Sequence, residues 1–333
     1  MFAYTAHKNP NLNKIQFKKI ELATPEPTDH DLLVEVKAIS VNPVDYKIAE
    51  STNSEETNKI LGWDAAGIVV GKGKSVKNFN IGDHVYYAGD ITRPGTNSQY
   101  HLVDERIVGL KPKTLTFKEA AAIPLTAITA YEALFEHFAL DKSNGKKILL
   151  IGAAGGVGSI AIQLLKNLTN TKIIATASRK ESMAWVKSLG ADVVIDHNNN
   201  FLDELHKFDI QSVDNIFCIN GIEQHFDKMV DAIKPFGKIC AIDDPKEKLD
   251  MMKLKWKSVS FSWEFMFTHS MFQSDNMSSQ GKLLNKVAQL IDLGKIKTTI
   301  GLDLGIISES HLELAHKQLQ TGKTIGKIVL DMP

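Results

Sequence analysis

Residues 146–168 read KKILLIGAAGGVGSIAIQLLKNL, and the fold turns on how this stretch is read. KKILLIG is a short apolar run of strand length, and VGSIAIQLLKNL carries Val157, Ala161, Leu164, Leu165 and Leu168 at helical spacing on one face. The turn joining them is Ala153-x-Gly155-x-x-Gly158, with Gly152 just before it. A glycine-rich turn from an apolar strand into an amphipathic helix is the setting in which such a motif binds a dinucleotide. Gly155 lets the backbone approach a pyrophosphate, and Gly158 lets helix and strand pack closely. The helix start adds unbonded N–H groups and the positive end of its dipole. The loop residues Ala154, Gly155, Gly156, Val157 and Gly158 are therefore the first candidate cofactor contacts.

Downstream the alternation continues with KIIATAS as strand, KESMAWVKSLG as helix, then ADVVIDH, VDNIFCIN and GKICAI as strands. This order predicts a parallel, doubly wound α/β sheet. Twenty residues beyond Gly158, where such sheets place an acidic residue on the ribose, stand Ser178, Arg179 and Lys180. A carboxylate there would repel a 2′-phosphate, whereas serine, arginine and lysine offer donors and positive charge. NADPH is the expected cofactor over NADH. Two cations opening a helix are misplaced against its dipole unless an anion joins them. His197, after the third strand, is a further candidate for the 2′-phosphate or a loop histidine in solvent. Asn220 follows the fourth strand, at the carboxyl end of the sheet where ligands of this fold bind.

Upstream, LLVEVKAI at 32–39, AAGIVVGKGKSV and IGDHVYYAG read as short strands with glycine turns, predicting a β-rich first domain. GKGKS at 71–75 lacks the spacing of a phosphate-binding loop and reads as a turn. Helical alanine and leucine spacing begins at Lys118 and breaks once at Pro124; STNSEETNK at 51–59 reads as an exposed loop. After about residue 265 the tail reads helix, helix, strand, and the simplest assembly returns it to the first domain. The expected domains are thus 1–118 with 266–333, and an inserted 119–265.

Lysine plus arginine and aspartate plus glutamate both total 39, so no basic surplus recommends a nucleic acid. Two cysteines, Cys218 and Cys240, cannot build a disulfide framework or a cysteine-rich zinc lobe. The N-terminus lacks the layout of a signal peptide and no apolar run reaches membrane-span length, so a cytoplasmic enzyme with no membrane partner is expected.

Five segments in order, SVNPVDYKI (40–48), LGWDAAGIV (61–69), IGDHVY (81–86), AAAIPLTAITAYEAL (120–134) and IGAAGGVGSIAIQLLK (151–166), resemble the medium-chain dehydrogenase/reductase superfamily. The closer likeness is to its zinc-free quinone-oxidoreductase-like branch. WEFMFTHSMFQSDNM (263–277) and GKIVL (326–330) resemble a subgroup labelled zinc-type alcohol dehydrogenase-like. The resemblance implies a Rossmann domain inserted in a GroES-like catalytic domain, and a homodimer joined through the nucleotide sheet. For that joining, GKICAIDD is the strand region to watch as an exposed edge.

Zinc-dependent relatives carry a catalytic cysteine in the segment aligned with SVNPVDYK and a His-Glu pair aligned with LGWDAAG. Here those places hold Asn42-Pro43 and Trp63-Asp64. A catalytic zinc takes about three protein ligands, so the expectation is a metal-free enzyme. Hydride would pass from NADPH to a quinone or similar electrophile in the cleft between the domains. The alternatives are an enone or alkenal reductase, a zinc alcohol dehydrogenase, and a non-catalytic NADPH-binding sensor or crystallin-like protein.

By resemblance the loop holding Asn42, Asp45 and Tyr46 faces the nicotinamide. Asn42 is a candidate for hydrogen bonding the acceptor oxygen or the ribose, and Tyr46 for giving a proton. Asp45 is either a site residue or a turn residue. Asp64 completes the candidate catalytic set. Thr129 resembles a threonine that contacts the nicotinamide in relatives, or bonds its own helix. Trp63, Phe265, Met266 and Phe267 are candidates for the acceptor pocket or for plain core. Lys327 in the tail is a candidate phosphate contact.

Overall fold

A computed structural model of the chain describes residues 1–9, 14–51, 59–143 and 145–333. Most of the loop expected at 51–59 lies outside the described residues. The chain divides into two compact units, Met1–Ile128 with Phe267–Pro333, and Thr129–Met266.

The first unit opens with strands β1 (Phe2–Asn9), β2 (Lys14–Glu21) and β3 (Asp31–Val41), then helix α1 (Pro43–Ser51). Strands β4 (Lys59–Ile60), β5 (Ala65–Lys72), β6 (His84–Tyr87), β7 (Tyr100–Asp104) and β8 (Val108–Leu110) follow. Helices α2 (Phe117–Ala121) and α3 (Pro124–Tyr131) come next, separated at Pro124 as expected. Thr116 caps α2 through a reciprocal capping box with Glu119.

In the second unit, β9 (Lys147–Ile151), α4 (Gly156–Leu168), β10 (Lys172–Thr176), α5 (Lys180–Leu189) and β11 (Val193–Ile195) alternate. They continue through α6 (Phe201–His206), β12 (Val213–Cys218), α7 (Ile222–Ala232), β13 (Ile233–Ala241), α8 (Met252–Lys255) and β14 (Ser260–Trp263). The chain then returns to the first unit with α9 (Thr268–Met271), α10 (Ser278–Asp292), β15 (Ile300–Ile306), α11 (Glu309–Gln320) and β16 (Lys327–Asp331).

The second unit holds six parallel strands in the order β11-β10-β9-β12-β13-β14. Read from β9 this is the 3-2-1-4-5-6 order of a dinucleotide-binding sheet, whose ligand crevice lies at the carboxyl ends of the neighbouring strands β9 and β12, where the strand order reverses. Two readings of this sheet need correction. GKICAI is not an edge: β13 is paired on both sides, and the strand that ends the sheet beyond it is β14, SFSW. Its alternation is too short and too polar to stand out. Helix α4 is also buried more widely than one apolar face, because every residue from Val157 to Leu165 is covered.

In the first unit, β16 lies antiparallel on β3, with Val329 opposite Ser40, so the tail completes the sheet that the N-terminal strands begin. The tail contains a strand that was not expected, β15, paired parallel to β16. Three of its residues are exposed in a row and Gly305 sits at φ 73°, so neither an alternating pattern nor an apolar run marks it. The two units part between Ile128 and Thr129 rather than between Lys118 and Glu119, because α2 packs on β3, β5 and β16.

Cys218 and Cys240 are fully buried in β12 and β13, and burial pushes both thiols upward, that of Cys240 to about 12. Among the described residues no helix is long and apolar enough to cross a membrane.

Candidate functional site

The loop after β9 is built around its glycines. Gly152 takes φ 79°, a left-handed conformation, and its N–H donates to Thr176 Oγ1 at 3.2 Å. A Cβ on Gly158 would stand 2.4 Å from the Ala153 carbonyl oxygen, so only glycine lets α4 sit this close to the turn. A Cβ on Gly155 would meet nothing nearer than the Gly152 oxygen at 3.6 Å, which leaves the face of the turn open to a ligand. Gly155 caps α4 with no side chain, so the first-turn amides of Gly156, Val157 and Gly158 have no capping side chain. The Ala154 carbonyl is 3.4 Å from the Ser159 hydroxyl. Exposed Asn220 lies just past β12, its Cβ beside the turn at 3.2 Å from the Cβ position of Gly152. These residues fit the pyrophosphate and ribose of a dinucleotide.

The register of β10 and β11 brings the next group together. Thr176 pairs with Ile195, so Ser178 and His197, each two residues further on, come side by side. Ser178 Oγ and His197 Nε2 are 3.5 Å apart. Exposed Arg179 is the N-cap residue of α5 and Lys180 its first residue. The sequence reading missed two members contributed by α7. Lys228 Nζ donates to the His197 carbonyl at 2.9 Å, and the His225 ring meets His197 edge-on at 5.9 Å. Their spacing, three residues apart on one helix face, was the available signal.

In the first unit, Asn42, Asp45, Asp64 and Lys327 form one buried polar cluster, none more than 3% exposed. Lys327 Nζ donates to Asp64 Oδ2 at 2.8 Å and to Asn42 Oδ1. Asn42 Nδ2 donates to the same Asp64 oxygen at 3.0 Å and to the Ser40 carbonyl at 3.3 Å. Asp64 Oδ1 accepts the Leu125 N–H at 2.9 Å. Asn42 therefore spends both side-chain donors inside the protein, and Lys327, read from sequence as a phosphate contact, is committed to Asp64. Burial pushes the Asp64 carboxyl upward, opposed by the Lys327 ammonium, the Leu125 amide and Asn42.

Asp45 has the turn role. Its Oδ2 accepts the Asn42 N–H at 2.9 Å at the start of α1, an arrangement that also satisfies an unpaired helix-start amide. Burial raises its carboxyl to about 7, against the Asn42 amide and Lys327, which lower it, while Asp64 adds to the rise. An acid raised from about 3.9 to about 7 by folding gives stability that is present in acid and lost as pH climbs through that window. Asp45→Asn is expected to flatten this decline, and thermal melts at pH 5 and pH 8 check it. Parallel pH profiles for the variant and the wild type would rule it out.

Tyr46, on α1, is half-buried, and Thr129 is buried at the end of α3. Trp63 is fully buried, donates Nε1–H to the Asp90 carbonyl at 3.1 Å, and meets buried Phe267 edge-on at 6.2 Å. Met266 is buried as well, whereas Phe265 is exposed. Trp63 and Phe267 thus contribute to the core of the first unit.

A zinc at positions 42 and 64 would compete with an ammonium already bonded to both. Asn42 is a weak ligand, and the Trp63 indole has no lone pair to give. Among the described residues no group of three or more His, Cys, Asp and Glu side chains could hold a metal ion. The donor set does not fit a catalytic zinc.

Residues 28–129 match the family model for the alcohol dehydrogenase GroES-like domain, and residues 156–280 the one for zinc-binding dehydrogenase. A zinc-type alcohol dehydrogenase-like protein of Staphylococcus aureus strain Mu50 is 38% identical over 95% of both chains. The 2-methylene-furan-3-one reductase of Solanum lycopersicum is 32% identical over 99% of this chain and 78% of its own. The chloroplastic NADPH-dependent alkenal/one oxidoreductase of Arabidopsis thaliana is 30% identical over 93% and 74%. Among solved structures, a protein from Rhizobium etli CFN 42 described as a zinc-dependent alcohol dehydrogenase superposes with TM-score 0.92 at 44% identity, covering 99% of this chain and 98% of its own. The quinone oxidoreductase of Coxiella burnetii gives 0.82 at 26%, with both chains fully covered. With its nucleotide sheet, its glycine turn and relatives of this identity over nearly their whole length, the chain belongs to the medium-chain dehydrogenase/reductase superfamily of oxidoreductases.

Proposed function

We propose that the protein is an NADPH-dependent reductase of carbonyl-conjugated double bonds, quinones or enones, that works without zinc. The observation that carries this reading is the closed Asn42–Asp64–Lys327 network, in which an internal ammonium is bonded to the side chains at the metal-ligand positions of zinc relatives. Without a Lewis acid to stabilise a developing alkoxide, alcohol oxidation loses its usual catalyst. Conjugated acceptors spread the added electron density over their own π system and do not need one.

Bound NADPH supplies the hydride. The chain binds and orients it through the 154–158 turn, with Asn220 beside the turn and Thr129 as a nicotinamide contact. Ser178, Arg179, Lys180 and His197 receive the 2′-phosphate. Tyr46 holds the proton that, added to the hydride, completes a two-electron reduction to a hydroquinone or a saturated carbonyl compound. The Asn42–Asp64–Lys327 network fixes the start of α1, the helix that carries Tyr46, and does not touch the acceptor itself. The rate is expected to come mainly from proximity and orientation. Phe265, the exposed member of the aromatic set, is the candidate left to face an acceptor.

The relatives' names favour the enone over the quinone as acceptor, since two enone-type reductases are 32% and 30% identical. The test is NADPH oxidation by metal-analysed protein against a quinone, an enone, an aldehyde and no acceptor. Turnover on the enone or quinone with no zinc in the protein is the expected result. About one zinc per chain with turnover confined to the aldehyde would end this reading.

The homodimer is proposed to join through β14, which exposes Trp263 and, among the described strands, is paired on one side only. Sedimentation at twice the chain mass is expected, and a monomer at micromolar concentration contradicts it.

A further inference from the structure

We infer that His197 is a proton-linked reader of the cofactor's 2′-phosphate: it binds a proton together with that phosphate, so the preference for NADPH over NADH strengthens as pH falls. The inference rests on the NADPH reading above.

The groups around the ring come from every element that packs on it. From the end of β10, the Ser178 hydroxyl stands 3.5 Å from Nε2. Arg179, capping α5, contributes positive charge that acts on the ring. From α7, Lys228 holds the His197 carbonyl at 2.9 Å and adds a second positive charge, and the His225 ring closes one side. His225 is itself neutral by burial, its pKa lowered to about 4. One carboxylate, Asp196, pulls the other way, and its side chain is engaged by Asn198. Glu204 of α6 is spent on the Asp196 amide, Asn199 and Lys207.

Half-burial and the two cations hold the imidazole below its ordinary range, so it is neutral at pH 7.5. A dianionic phosphate seated on Ser178 and Arg179 would lie beside Nε2 and reverse the local field. The neutral ring would then bind a proton from solvent and donate Nε2–H to the phosphate in a charge-assisted bond. A cofactor without the phosphate brings no such field and no proton.

The experiment is titration calorimetry of the full-length protein with NADPH and with NADH at pH 7.5, in two buffers of different ionisation enthalpy. The phosphate, with a pKa near 6, is already dianionic there, so net uptake reports on the protein. The expected uptake is on the order of half a proton or more per NADPH, set by how far the histidine moves across pH 7.5. Uptake near zero is expected for NADH. Between pH 7 and 8.5 the NADPH-to-NADH affinity ratio should fall by up to about tenfold per pH unit, the limit for one linked proton.

His197→Gln and His197→Tyr should both abolish the uptake and flatten the ratio. The tyrosine keeps a donor that does not titrate in this range and should retain NADPH binding. Equal uptake with both nucleotides, none with either, or uptake retained in both variants would overturn the inference. A wild type that binds NADPH no tighter than NADH at any pH instead shows failure of the cofactor reading, and the inference falls with it.

Discussion

Replacing Lys327 by methionine is expected to cost about 3–5 kcal/mol of stability at neutral pH, the scale for removing one partner of a buried ion pair. The ammonium is 2.8 Å from Asp64, and Asp64 is fully buried. Without its counter-ion the carboxylate must be buried charged or take up a proton. Protonation limits the loss to roughly 1.4 kcal/mol for each pH unit above the ordinary carboxyl value near 3.9. The sign follows: the variant's Asp64 pKa rises further on folding, so its deficit grows from about pH 4 upward and vanishes in acid. Combining Asp64→Asn with Lys327→Met removes both charges and should recover more than half of the loss. Urea melts at pH 5 and pH 8 on the three variants make the measurement. A single-variant loss under about 1 kcal/mol with no pH dependence would mean that the pair holds nothing.

The second large effect concerns the cofactor. Arg179→Ala should weaken NADPH roughly 10- to 150-fold, equivalent to about 1.5–3 kcal/mol for a hydrogen bond to a charged group. NADH should change little, because it lacks the 2′-phosphate that Arg179, heading α5 beside Ser178, is proposed to hold. The comparison needs both nucleotides on both proteins. Equal weakening of the two would move Arg179 from the 2′-phosphate to a general structural role.

The central architecture was legible where chemistry and periodicity coincide. The stretch from Lys146 to Leu168 carries a strand, a glycine turn that tolerates no Cβ at Gly158, and a helix, all inside one continuous segment. Ser178 and His197 could be named from their places after successive strands, although only the register shows that they meet. The edge strands β14 and β15 were not legible, because edge strands need neither a buried face nor a run of apolar residues.

The Asp64–Lys327 pair lay deepest out of reach. Its members are 263 residues apart, and no local pattern reveals that the strand starting at Lys327 returns to lie against β3. The same distance misled the reading of Asn42. As an isolated loop amide it looks free to meet a substrate, whereas its partners arrive from β16 and from the segment around Asp64. Asp45 could be read either way from its neighbours, and the helix-start bond to Asn42 decides it.

The two cysteines bear on durability. Quinones and enones are Michael acceptors, and the species they alkylate is the thiolate. The chain has two thiols, both sealed within the central strands of the nucleotide sheet and held in their protonated form. If quinones or enones are the substrates, as proposed, the protein meets them at every turnover without offering an exposed thiolate for them to alkylate.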